Sequence, residues 1–192
     1  MPDFSAALRR AVAGVERRLE AKRFSVTLLY VHDLGKIPEV AADAACRIER
    51  LEPERVRLLT EVETIDVEQV KARFRRGDAC YLGLVGGRPA HFNWAQSSGR
   101  HAASGTGRTF AVKNGDVWLY SAFTAEWARG RRLQPAAMAM MLRDARQSGC
   151  SRAWIYVDET NSASRKSMER VGFRVARRLR SVWVSRYCLP LP

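Results

Sequence analysis

Residues Gly115–Phe173 read GDVWLYSAFTAEWARGRRLQPAAMAMMLRDARQSGCSRAWIYVDETNSASRKSMERVGF, and few folds accept that order of signals. Val117 to Thr124 is an apolar strand that runs into a turn crowded with arginine. The helix predicted over Ala136–Gln147 is apolar nearly all round (Ala136 to Leu142 are alanine, methionine and leucine), so it must be deeply packed. Pro135 suits its first turn and Gly149 its stop. Ala153 to Val157 reads as a buried strand. Asn161 then caps a short helix that Gly172 closes.

The remaining chain supplies strands and helices on which that unit can pack. Phe4, Leu8, Ala11, Val12, Val15 and Leu19 recur at helical spacing, predicting an amphipathic helix over 3–22. Phe24 to Val31 is β-branched and aromatic and predicts a strand. Residues 1–43 together read as an N-terminal extension packed on the body at 44–192. Cys46–Leu51 alternates as a strand. Pro53 opens a helix with Val56, Leu59 and Val62 on one face, and Val67–Arg75 is a second helix with Val67, Val70 and Phe74 inward. Gly86-Gly87 between Cys80–Val85 and Pro89–Ala95 is a two-residue hairpin signal. On the second strand His91, Asn93 and Ala95 share one face, Phe92 and Trp94 the other. Residues 96–108 are rich in serine and glycine and predict a mobile loop. Thr109–Lys113 is a short strand, with Asn114-Gly115 a further hairpin turn. Phe173–Ala176 and Val182–Tyr187 read as two strands around the basic run 177–180. This order predicts an α/β fold with a mixed sheet.

The chain has 192 residues, 46% hydrophobic and 28% charged, enough to bury a real core. Cys46, Cys80, Cys150 and Cys188 form no C-x-x-C pair and read as reduced thiols rather than a zinc site or disulfide frame. No apolar run reaches membrane-spanning length, and residues 1–10 carry no export signal, so a cytoplasmic protein is expected. The net charge is +13, but residues 97–192 carry 17 Lys+Arg against 6 Asp+Glu. Nucleic acid, a polyphosphate-bearing cofactor or an acidic carrier protein could use that surface, as could solvent alone. No nucleic-acid-binding signature accompanies the charge, which argues against nucleic acid.

A basic strand-to-helix turn offers unpaired backbone N–H groups and the positive end of a helix dipole to an anion. The segment TAEWARGRRLQ, Thr124–Gln134, resembles the pyrophosphate loop of the GNAT acyltransferases, V-x-P-x-x-[RQ]-G-x-G-x-[GA]. Asn161–Phe173, NSASRKSMERVGF, is similar to that superfamily's N-x-x-[AS]-x-x-x-Y-E-[KR]-x-G-F signature. The resemblance spans roughly residues 44–187. It implies a GNAT-like, mostly antiparallel sheet flanked by helices, and acyl transfer from acetyl-CoA or another acyl-CoA. It further implies a pyrophosphate cradle at Arg129, Gly130, Arg131, Arg132, Leu133 and Gln134. Phe123 and Thr124 would hold the pantetheine and polarise the thioester carbonyl, Asn161 would hydrogen-bond near the pantetheine, and Ser164 would lie beside the thiol end. No metal is implied.

The departures from the pattern are chemical. Arg132 stands at the second loop glycine and Gln134 at the final small residue. Met168 stands where many members carry a tyrosine that protonates the thiolate. An attacking alkylamine has a pKa near ~10.4 and must lose a proton. Tyr120, Ser121, His91, Asp158 and Glu159 are the candidates to receive it, each with a structural role as the alternative. No cysteine sits in a nucleophile setting, so direct attack is expected rather than a covalent enzyme intermediate. Two other readings stay open, an acidic acyl-carrier protein as donor and a non-catalytic coenzyme A sensor. The expected acceptor is a small-molecule amine or a peptide, with no membrane partner. The expected assembly is a monomer or homodimer.

Overall fold

The computed structural model describes residues 23–184 and 187–192; the helix expected over 3–22 lies outside them. The elements run β1 (Arg23–His32), β2 (Cys46–Leu51), a 3-10 helix (Pro53–Glu61), α1 (Val67–Arg75), β3 (Ala79–Val85) and β4 (Arg88–Gln96). They continue with β5 (Arg100–Ala103), β6 (Arg108–Ala111), β7 (Asp116–Thr124), a short 3-10 turn (Glu126–Ala128) and α2 (Leu133–Gln147). The last four are β8 (Arg152–Asp158), α3 (Ser162–Arg170), β9 (Arg174–Val184) and β10 (Tyr187–Pro190). Among the described residues, eight strands form one sheet in the order β10-β9-β1-β8-β7-β4-β3-β2, and β5-β6 is a separate ribbon. Within the large sheet, β7 and β8 are parallel and the other neighbours antiparallel. The fold class is the mixed, mostly antiparallel α/β arrangement that the sequence predicts.

Helix α2 is the core of one face. Met138, Ala139 and Leu142 are 0% exposed, packed with Leu28, Tyr30, Leu119 and Ile155. Its nearly all-apolar surface is explained by that burial, since sheet on one side and α3 and loops around it leave little helix to solvate. On β4 the expected alternation holds: Phe92 and Trp94 pack under the 3-10 helix and α1, while Ala95 joins the α2 side. The β3–β4 turn has Gly86 at φ 57° and Gly87 at φ 85°, the two positive angles of a primed turn. Helix α1 has the bounds read from its sequence, and Asp66 caps it by accepting from the amides of Glu68 and Gln69.

Several local expectations are corrected. The segment after Pro53 is a 3-10 helix rather than an α-helix. Residues 96–108 are not a loop, because β5 forms there and pairs with β6. Gln96 organises the turn, donating to the carbonyls of Ser98 and Arg100 while its Oε1 meets His101 Nδ1. Asn114-Gly115 is not a hairpin turn, since it links the ribbon to the large sheet. The basic run 177–180 lies inside one continuous strand, β9, with a register shift opposite Leu29/Tyr30. The strand expected at Phe24–Val31 forms as β1, and the sheet takes it up internally, between β8 and β9. That position predicts a large cost for a cavity on β1. Leu28→Ala should lower stability by about 2–5 kcal/mol in urea denaturation, whereas a strand lying loosely on the outside would lose less than about 1.

Candidate functional site

Strands β7 and β8 are in register only at Asp116↔Arg152, Val117↔Ala153 and Trp118↔Trp154. That end is clamped. The amides of Ser151 and Arg152 both donate to Gly115 O, at 2.7 and 3.1 Å, and Arg152 Nε lies 3.0 Å from the buried Asp116 carboxylate. Beyond Trp118 the two strands part, while β7 stays paired to β4 as far as His91↔Thr124. Between Trp94↔Tyr120 and Phe92↔Phe123, two residues of β7 (Ser121 and Ala122) face the single Asn93 of β4. This is a bulge, and Ser121 carries it at φ 51°. A wedge is therefore open between the carboxyl ends of β7 and β8, where α/β sheets build sites.

On the α2 side the wedge continues into a cleft of about 500 Å³. All the residues expected at the donor site line it together: Phe123 and Thr124 from β7, residues 129–134 from the turn, and Asn161 and Ser164 from α3. The start of α2 explains its chemistry. Arg132 is the N-cap in a left-handed conformation, φ 59° and ψ 21°, and offers no side-chain cap. The amides of Leu133 and Gln134 have no preceding helical carbonyl to meet. Pro135 has no N–H, and Ala136 is the first to bond back, to Arg132 O at 3.1 Å. Among the described residues that line the cleft none is acidic. Arg132 pairs with Asp43 at 3.2 Å and Arg129 with Glu126 at 3.3 Å. Arg131 and Arg170, also in the lining, pair with no carboxylate among the described residues. The cleft is thus an electropositive slot ending on free helix donors, suited to a phosphate-bearing ligand.

Asn161 serves as the α3 cap, its Oδ1 accepting from Ser164 N at 3.1 Å, which leaves its Nδ2 donors for the cleft. Gln134 Nε2 reaches Ser164 Oγ at 3.2 Å and joins the two helices across the slot. Met168 is 2% exposed in the core beside α2 and does not line the cleft. A hydroxyl-bearing pair from α3, Ser164 and Ser167, lines it instead.

The five candidate bases are not brought together. His91 is 0% exposed, with Nδ1 2.8 Å from Thr124 Oγ1, and burial lowers its pKa to about 4. Sealed behind Thr124, it cannot touch an acceptor, and its role is to brace β7. Tyr120 donates its hydroxyl to Asp78 and receives Arg76 Nη2 at 3.2 Å. Burial, then Asp78, raise its pKa, so it does not serve as a base at neutral pH. Ser121 Oγ accepts from Arg73 Nη1 at 3.2 Å. Glu159 is held by Arg178 at 2.5 Å. Asp158 is exposed, with Oδ1 accepting from Thr160 N at 2.9 Å. It lines a second hollow of about 310 Å³ with Ser25, Thr27, Ser104, Tyr156 and Trp183, at the same open end of the sheet. Tyr156 and Asp158 alternate with Ile155 and Val157, which belong to the α2 core, so this hollow opens mainly on the opposite face, with Val157 at its border.

Sequence reasoning missed Asp78, Arg73, Arg76 and His101. Asp78 reads locally as the end of α1, and its bond to Tyr120 spans 42 positions. His101 is 2% exposed and stacks on Trp118 with centroids 4.8 Å apart, hidden in what reads as a Ser/Gly loop.

Residues 54–173 match the family model described as the acetyltransferase (GNAT) family. Comparison with curated proteins finds no match. A GNAT-family protein from Novosphingobium aromaticivorans is 16% identical, with 84% of this chain covering 66% of that one at a TM-score of 0.60. A GCN5-related N-acetyltransferase from Kribbella flavida is 15% identical, with 100% of this chain on 64% of that one and a TM-score of 0.59. This chain therefore spans less than two thirds of either. The yncA structure from Salmonella typhimurium, solved with its cofactor acetyl-CoA, is 16% identical over 69% of this chain and 82% of its own, TM-score 0.54. At these identities the solved structures show a shared fold.

Two stability measurements check the geometry. A left-handed arginine costs about 1–2 kcal/mol that glycine avoids. Arg132→Gly should therefore be no less stable than the parent, while Arg132→Val should lose about 1–2 kcal/mol in chemical denaturation. Burial lowers the pKa of all three histidines, His32, His91 and His101, the last two to about 4. The unfolded chain then binds more protons below its ordinary histidine pKa. Stability should fall as pH drops from about 6.5 toward 4, with a slope above one proton that His91→Gln reduces.

Proposed function

The chain belongs to the GNAT acetyltransferase family, and from that membership we propose that it moves an acetyl group from acetyl-CoA to an amine by direct attack. The observation that carries this reading is the electropositive slot, with the uncapped start of α2 at one end and the parted β7/β8 wedge at the other. The residues present fit coenzyme A. The amides of Leu133 and Gln134, with Arg131 and Arg170, suit a pyrophosphate. Phe123 and Thr124 present an unpaired strand edge to the pantetheine, and Asn161 Nδ2 is a further donor. A neighbouring hollow of about 340 Å³, formed by Pro38 to Ala41, shares Arg132 and Arg170 with the slot and suits the adenosine end.

Bound there, the thioester supplies an activated acetyl group. The N–C bond to the acceptor forms as the C–S bond breaks, the amine gives up one proton, and the products are an N-acetyl amide and coenzyme A. Asp158 is the group that suits that proton best, since Oδ2 makes no hydrogen bond among the described residues, the side chain is exposed and it lines the acceptor-side hollow. Glu159, tied to Arg178, suits it less. With Met168 in the core, the thiolate takes its proton from water, directly or relayed through the hydroxyl of Ser164 or Ser167. A thiol of ordinary pKa near ~8.5 leaves adequately without a dedicated acid.

A donor carrying its own pyrophosphate is favoured over an acyl-carrier protein because Arg132 adopts the left-handed angle that a glycine would supply, keeping the cradle open. Calorimetry with acetyl-CoA should give saturable binding, weakened about 10–100-fold in the Arg131→Ala/Arg170→Ala double variant. No heat and no thermal shift at millimolar ligand would sink the proposal. Asp158→Asn should lower kcat about 100-fold or more while acetyl-CoA affinity is unchanged.

A further inference from the structure

On the face of the sheet opposite α2, the charge of Arg73 meets no carboxylate among the described residues. The half-buried Arg73 of α1 places its guanidinium 5.1 Å from the Trp94 ring centroid and 5.2 Å from that of Tyr120. Its only hydrogen bond among the described residues is from Nη1 to Ser121 Oγ. Arg76, one turn on, differs: Asp78 pairs with it and accepts from Tyr120 as well, so that carboxylate is spent. No acid pairs with Arg73 among the described residues.

Where this charge sits matters more than that it exists. Ser121 is the left-handed residue of the bulge, and the next residue, Ala122, already lines the donor slot. Arg73 thus stands where β7 leaves β8, on the side from which an acceptor must approach. Tyr156, which lines the hollow with Asp158, lies within its electrostatic reach. Contact with two rings and the bond from Nη1 hold the guanidinium, while Nε and Nη2, the pair of donors that can grip a carboxylate with two parallel bonds, make no hydrogen bond among the described residues.

We infer that Arg73 anchors the acceptor, which is a small amine that also carries a carboxylate. The carboxylate lies against the guanidinium while the amine points into the wedge toward Asp158. A single unpaired guanidinium balances one negative charge, which matches a carboxylate better than a doubly charged phosphate. This inference rests on the acetyl-transfer reading above, and its test separates the two.

The experiment follows release of free thiol from acetyl-CoA with L-α-amino acids and β-alanine, each beside its carboxamide, and in parallel measures acetyl-CoA affinity by calorimetry. The acids should be used and the amides should lose roughly 10–100-fold in kcat/KM, the value of one charge-assisted contact. Arg73→Ala should cost the acids a similar factor, mainly in KM, and leave the amides and acetyl-CoA affinity nearly unchanged. Arg73→Lys, which keeps charge but not the fork, should restore only part. Failure of acetyl-CoA to bind counts against the transfer reading. Normal acetyl-CoA binding with equal use of acids and amides overturns the inference, as does normal binding with no acid acetylated. An Arg73→Ala enzyme that keeps the acid-over-amide preference overturns it too, and a drop in kcat alone would point to a merely structural arginine.

Discussion

Past Trp118, strand β7 keeps its hydrogen bonds to β4 but loses β8, and most of what this molecule can do follows from that parting. Three register pairs, an ion pair between Arg152 and buried Asp116, and two amides on Gly115 O hold the closed end. The bulge at Ser121 and Ala122 turns β7 away from β8 at the open end. The chain must then cross over the sheet to begin β8, and it does so through α2. The start of that helix, with its unpaired donors, is consequently delivered to the mouth of the wedge. A packing requirement and a binding site are the same piece of backbone.

The basic excess of the second half is divided among distinct tasks. Arg152 clamps the closed end, Arg178 occupies Glu159, and Arg132 ties the loop to Asp43. The pairs to Asp43 and Glu159 are partly exposed and add little stability in water, so their effect is mainly to choose positions. Arg131 and Arg170 in the slot pair with no carboxylate among the described residues, and neither does Arg73, from the first half of the chain, across the sheet. An anionic ligand on each face would meet charges already held in place, with little reorganisation on binding.

Local signals were legible where local chemistry decides the structure. The bounds of α1, the Gly86-Gly87 turn and the Asn161 cap each depend on residues within a few positions, and they stand as read. Eight of the ten donor-side residues converge on one slot because strand, turn and helix are contiguous in sequence, and Asn161 and Ser164 join them from the next helix. What stayed hidden depends on distant partners. The run 177–180 looks too charged for a strand, yet β1 pairs along it and its arginines point outward around the buried Leu179. β5 is four residues long and is held by Gln96 and by stacking on Trp118. His91 and Tyr120 look equally fit for proton transfer in sequence; burial behind Thr124 and the bond to Asp78 remove them. Met168 shows the same limit, since only packing reveals that its position faces the core.

The central claim is that the uncapped α2 start and the open edge of β7 receive a phosphate-bearing acyl donor. Backbone amide spectra of isotope-labelled protein titrated with coenzyme A test it residue by residue. The account predicts shifts concentrated at Gly130 to Gln134, Phe123, Thr124 and Asn161, with the largest at the free amides of Leu133 and Gln134. Shifts scattered over the exposed arginines of β9, or none at the α2 start, would contradict it.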